Sequence, residues 1–130
     1  MPRYRLSRQA RADVVDILEW SERRFGRAAR QRYQALILIA LDDVAADPLR
    51  IGSVDRPELG PAVRTYHLRH SRDRARIDNR TVESPRHLLI YRVIEPGLIG
   101  VGRIVHDAME MERHQPLDYG EPKARPERPS

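Results

Sequence analysis

Apolar residues recur at three- and four-residue steps through the first third of the chain and then switch to runs and alternation. Tyr4–Leu6 reads as a short first strand. Ser7 follows as a helix cap, because its hydroxyl accepts a bond from an otherwise orphaned backbone N–H. Ala10, Val14, Ile17, Leu18, Ser21 and Phe25 then fall on one helical face, and Gly26 ends that helix. A second stripe of Ala29, Tyr33, Leu36, Ile37, Ala40, Leu41 and Val44 predicts another helix starting near Arg27. Asp47-Pro48 closes it, since the residue before proline is driven out of the helical region. Two amphipathic helices parted by one glycine form an antiparallel hairpin.

The second half reads as strands. Arg50 to Pro61, with two glycines and two prolines, is expected to be a loop. Residues 62–70 alternate and predict a strand. Residues 71–85 are polar, carry Arg72, Arg74, Arg76 and Arg80, and predict a long hairpin arm or loop. His87 to Ile94 is the strongest strand, Glu95-Pro96-Gly97 a turn, and Leu98 to Val105 the next strand. A tight turn makes that pair antiparallel. His106 to His114 reads as a short helix or turn. The order β-α-α-β-β-β with a short C-terminal helix predicts an α+β fold, the helical hairpin packed on an antiparallel sheet. The other sheet face is expected to be partly open and lined by Arg64, Arg69, Arg92 and Arg103. The domain is expected to span residues 1–117. Residues 118–130, rich in proline and charge, are expected to be a disordered tail, and Tyr119 falls beyond the fold.

Composition sharpens this picture. With 40% hydrophobic and 33% charged residues, 130 residues suit one globular domain with a heavily charged surface. The absence of cysteine excludes disulfides, thiolate metal sites and cysteine nucleophiles, and fits a cytoplasmic protein. No apolar run reaches the length of a membrane span. The net charge of +5 implies an acidic partner, and every basic residue except Lys123 is arginine, whose planar fork suits carboxylate and phosphate.

Across most of its length the chain resembles the RelE/ParE toxin superfamily. The resemblance rests on an ordered set spanning about residues 3–117: Leu18-Glu19-Trp20 and Arg32-Tyr33 in the helical pair, Asp47-Pro48 before a glycine-bearing loop, and the strands Arg64–Arg69 and His87–Val93. Its most selective part is the ParE-type ending, from Arg103-Ile-Val-His106 through Met109 to Arg113-His114. Residues 71–85 depart from the pattern, being longer than the family's usual connection. The resemblance implies a toxin held inactive by an antitoxin that wraps it. It also implies one of two activities: RelE-like members cleave mRNA in the ribosome, and ParE-like members poison DNA gyrase without being nucleases.

RNA cleavage needs a base, an acid and cations around the phosphate. RelE-like enzymes supply lysines, arginines and a C-terminal tyrosine, whereas the sole lysine here is Lys123 in the tail. A nuclease would have to be built from Arg64, His87, Tyr91 and Arg92. The preferred reading is therefore a ParE-like gyrase inhibitor acting by protein binding, with no cofactor and no metal. His67 and His70, at an odd offset, would point to opposite faces of a strand. The expected partners are a ParD-like, ribbon-helix-helix antitoxin and DNA gyrase. Expected contacts are Trp20, Ile39, Arg69, Arg92, Arg103, Arg113 and His114. His106 and Met109 are expected to lock the end of the sheet. Direct nucleic-acid binding through Arg72–Arg80 is disfavoured, because that run lacks aromatics and contains Asp73 and Asp78. A third reading is an inactive member that only binds its antitoxin.

Overall fold

A computed structural model describes residues 3–108 and Tyr119. Strand β1 (Arg3–Leu6) leads into helix α1 (Arg8–Phe25), and helix α2 (Arg27–Ala46) follows after the single residue Gly26. Strands β2 (Ser53–Asp55), β3 (Arg64–His67), β4 (His87–Glu95) and β5 (Leu98–His106) complete one sheet in the order β1-β5-β4-β3-β2. The fold is α+β, with a helical hairpin packed on the sheet, as the patterning predicts.

The helix boundaries follow from local chemistry. The Ser7 hydroxyl accepts the Ala10 N–H at 2.9 Å and donates to the Gly102 carbonyl at 2.7 Å, so the cap also ties α1 to β5. Gly26 turns the chain at φ 96°, a conformation that side-chain-bearing residues avoid. Its N–H bonds Glu22 at the end of α1, and its carbonyl accepts the Arg30 N–H at the start of α2.

The structure corrects four expectations. First, the sheet is mixed: β2–β5 are antiparallel, but β1 pairs parallel with β5. Tight turns dictate antiparallel pairing only between neighbours in sequence, and β1 reaches β5 across the whole domain. Second, β2 lies inside the segment read as a loop, because three residues are too few to show alternation. Third, the predicted strand over 62–70 contracts to Arg64–His67 and continues as a 3-10 helix, Leu68–Arg74. Fourth, Tyr119 is buried, packed with Val63, Ile90 and Val105 on the sheet face away from the helices.

That face is therefore not an arginine-lined surface. Of the four arginines expected there, Arg92 alone lies over Tyr119, its guanidinium 5.3 Å from the ring centroid. A Cβ on Gly100 would fall 1.9 Å from the Tyr119 carbonyl oxygen, so this close approach requires glycine. The main core lies on the other face. There Leu36, Ile37, Leu41 and Val44 of α2, with Ile17 and Leu18 of α1, meet Tyr66, Leu89, Tyr91, Ile99, Val101 and Ile104 of the sheet. The C-terminal helix or turn expected from His106 to His114 does not begin at His106, which ends β5 because it pairs with His87 across the sheet; residues 107–108 form a turn, and Met109 to His114 lie outside the described residues.

Candidate functional site

The hairpin tip and the long β3–β4 connection together form a cleft of about 810 Å³. One wall is Trp20, Phe25, Ala29, Arg32 and Tyr33. The other is Arg80 to Ser84 with Arg86, and His106 contributes at the end of β5. The connection is held in place by several bonds. Ile77 and Arg80 bridge one another, Arg72 donates to the Glu83 carbonyl at 2.7 Å, and Val82 packs on the core.

At the cleft floor the Tyr33 hydroxyl lies 2.6 Å from His87 Nδ1 and accepts the Arg86 N–H at 3.1 Å. The phenol oxygen accepts from Arg86, and donation of its own proton to neutral His87 satisfies both groups. Nδ1 is thus the acceptor, and the imidazole proton sits on Nε2. Burial pushes His87 down to about 4, with the neighbouring His106 adding to the effect. Burial likewise pushes Tyr33 up to about 12. Both groups are neutral at physiological pH and bonded to each other. Trp20 meets His87 edge-on at 6.0 Å and Phe25 edge-on at 5.7 Å, and His87 meets His106 edge-on at 5.5 Å.

Beside the cleft, Asp107 accepts from His67 Nε2 at 3.0 Å and pairs with Arg86 at 3.4 Å. His67 Nδ1 accepts the Arg69 N–H, so one neutral tautomer satisfies both contacts. Burial lowers the His67 pKa in spite of Asp107. Burial raises the Asp107 carboxyl, but the His67 bond and the Arg86 and His106 charges outweigh it and hold it below the usual carboxylate range.

The four residues from which a nuclease would be built do not converge. Arg64 and Tyr91 are neighbours across β3 and β4, and Ser53 bridges them. The Tyr91 hydroxyl donates to the Pro48 carbonyl at 2.6 Å, and its side chain is fully buried. His87 lies four residues back along β4, roughly 13 Å away at ordinary strand rise. Arg92 is on the opposite face, over Tyr119.

The expected contact residues are also spread out. Trp20 lines the cleft, and Ile39 is half-buried against the main core. Arg69 is exposed on the 3-10 turn. Arg103 is clamped to Asp13 of α1, Nε to Oδ2 at 2.8 Å and Nη2 to Oδ1 at 3.0 Å. Arg113 and His114 lie outside the described residues. Among the described residues, no group of three or more histidines and carboxylates could hold a metal, and no helix is long and apolar enough to cross a membrane.

One polar centre was missed by sequence reasoning. Asp43 is buried in α2 and accepts from Ser71 and Arg74, each at 2.6 Å, with Arg50 at 3.2 Å. Ser71 in turn contacts the Tyr66 hydroxyl at 2.8 Å. A carboxylate buried this deeply is tolerated because every oxygen is bonded. It fastens the 3-10 turn, and hence the base of the long connection, to α2. A carboxylate inside the apolar stripe between Ala40 and Val44 was the available signal.

Residues 4–111 match the family model described as the ParE toxin of the type II toxin–antitoxin system parDE. Two curated relatives, each named Toxin ParE1, come from Mycobacterium tuberculosis strains CDC 1551/Oshkosh and ATCC 25618/H37Rv. Each is 30% identical over 112 residues, covering 86% of this chain and 96% of the relative. Fold and matches together define the class: a toxin of a type II toxin–antitoxin system. The chain belongs to the ParE toxin family.

Proposed function

We propose that this toxin inhibits DNA gyrase by binding it, acts in the cytoplasm, and is neutralised by a ParD-like antitoxin of the ribbon-helix-helix type. Membership of the ParE family supports the antitoxin partner. The observation that carries protein binding over RNA cleavage is the engagement of the polar groups a nuclease would need. The Tyr33 hydroxyl serves Arg86 and His87, Tyr91 serves Pro48 and Ser53, and Arg64 serves Ser53. A general acid or base must instead reach the substrate with its proton free to move. Lys123 is the chain's sole lysine and stands in the tail. Trp20, Ile39, Arg69, Arg92, Arg113 and His114 remain the proposed contacts for target or antitoxin, whereas Arg103 is taken up by Asp13.

Induced expression without antitoxin tests this reading. The expected result is a DNA-damage response that precedes any arrest of translation. Immediate translation arrest with new mRNA ends inside codons would instead identify a RelE-like endonuclease. Unimpaired growth would identify a member that only binds its antitoxin.

A further inference from the structure

We propose that Tyr119 is a displaceable latch over a second docking surface, and that the target meets the sheet face away from the helices only when this ring lifts off Arg92. This deepens the reading above and rests on its gyrase half.

The seat of the latch is separate from the main core. Tyr119 packs with Val63, Ile90 and Val105, and Leu59 and Leu88 pack around them. The helices meet the other face of the sheet, where Leu36 and Leu41 join Tyr66, Tyr91 and Val101. Withdrawing one ring therefore uncovers the second cluster and leaves the helix-packed core whole. Tyr119 is also the only aromatic residue after Tyr91, and prolines and charges surround it in the sequence. Composition of that kind builds no core of its own, which makes the ring its natural anchor. A contact made through one side chain of such a segment opens at a lower free energy than the whole domain.

The surface beneath suits a protein partner. Ile90 stands opposite Thr65, and Thr65 opposite Val54, so the three share a face and carry the strip from the seat to the sheet edge. Val54 is 53% exposed there. On the same face Arg92 donates to the Pro61 carbonyl at 3.4 Å and holds its guanidinium 5.3 Å from the Tyr119 ring centroid. The Tyr119 carbonyl comes so close to Gly100 that a Cβ there would collide with it. The latch thus shows what the seat accepts: an aromatic ring under a guanidinium, with its backbone against glycine. A target segment presenting an aromatic side chain meets the same demands. An arginine beside an aromatic anchor in an apolar seat is the kind of site that carries most of a protein–protein binding energy.

The chain has no cysteine, so Val105→Cys, in the floor of the seat and 2% exposed, carries the only thiol. Its labelling by a maleimide reads latch opening without gyrase. The thiol should react far faster than global unfolding permits, and adding Tyr119→Ser should raise the rate by about tenfold or more. Labelling no faster than global unfolding would overturn the latch. Gyrase then reads the surface. A docking surface that is open only part of the time binds more weakly by that fraction, so Tyr119→Ser should halve supercoiling at about one-tenth of the wild-type dose. Tyr119→Phe, which keeps the ring under Arg92, should restore the wild-type dose, and Arg92→Ala should cancel the gain. A tyrosine that merely stabilised the fold would give weaker inhibition when removed. If wild type inhibits gyrase and Tyr119→Ser inhibits equally or less, the docking surface is overturned and the gyrase reading stands. If neither protein inhibits gyrase, both fall.

Discussion

The Asp13 carboxylate grips the Arg103 guanidinium through two bonds, and its Oδ2 also accepts the Ile104 N–H at 2.9 Å. β1 stops at Leu6, opposite Val101, so the edge of β5 beyond it has no strand partner on that side. Asp13 of α1 takes over there, and Ser7 serves the Gly102 carbonyl between them. The sheet edge is thus closed by side chains of the first helix, and the arginine expected at a partner surface orients this clamp.

Asp13→Ala should destabilise the fold by about 2 kcal/mol, because it frees a partly buried guanidinium and an edge N–H together. A double-mutant cycle with Arg103→Met, read by urea denaturation, should give a positive coupling between the two sites. Additive losses would mean that the pair is incidental.

Stability should fall as the pH drops from about 6.5 towards 4, through His87. The sign follows from protons bound: the unfolded histidine takes up a proton near pH 6.5, whereas the folded one resists until about 4. The neutral ring's contribution is therefore complete above about 6.5 and is lost through that window, up to about 3 kcal/mol. His67 and His70, lowered mainly by burial, act in the same direction. The difference between wild type and His87→Phe should therefore carry the His87 share. Identical pH profiles would show that burial does not hold the His87 ring neutral.

Tyr119→Ala should cost about 2 kcal/mol, since it empties the centre of the second apolar cluster under Arg92. Gly100→Ala should be harmful for the related reason that it crowds the Tyr119 carbonyl. An unchanged denaturation midpoint in Tyr119→Ala would place that residue outside the fold, as its position among prolines and charges suggests.

Local chemistry made much of the fold legible. Ser7, Gly26 and Asp47-Pro48 marked the helix ends because capping and proline sterics act within a few residues. The runs 87–94 and 98–105 marked β4 and β5 through apolar content and a tight turn. Strand β2 was hidden because a three-residue edge strand has no period to read. The parallel seat of β1 was hidden because pairing between Arg3 and Leu98 has no local signature. The site was less legible for the same reason. Trp20 stood out as surplus to the core stripe, but its cleft depends on Tyr33 meeting His87, 54 residues away. Arg103 read as a surface cation because its partner lies 90 residues upstream.

The central claim is inhibition of gyrase by binding, and purified gyrase tests it most directly. Supercoiling of relaxed plasmid should fall with increasing toxin, linearised plasmid should accumulate as trapped cleavage complex, and equimolar antitoxin should restore activity. Full supercoiling with no cleavage complex, at toxin concentrations that arrest growth in cells, would contradict the account.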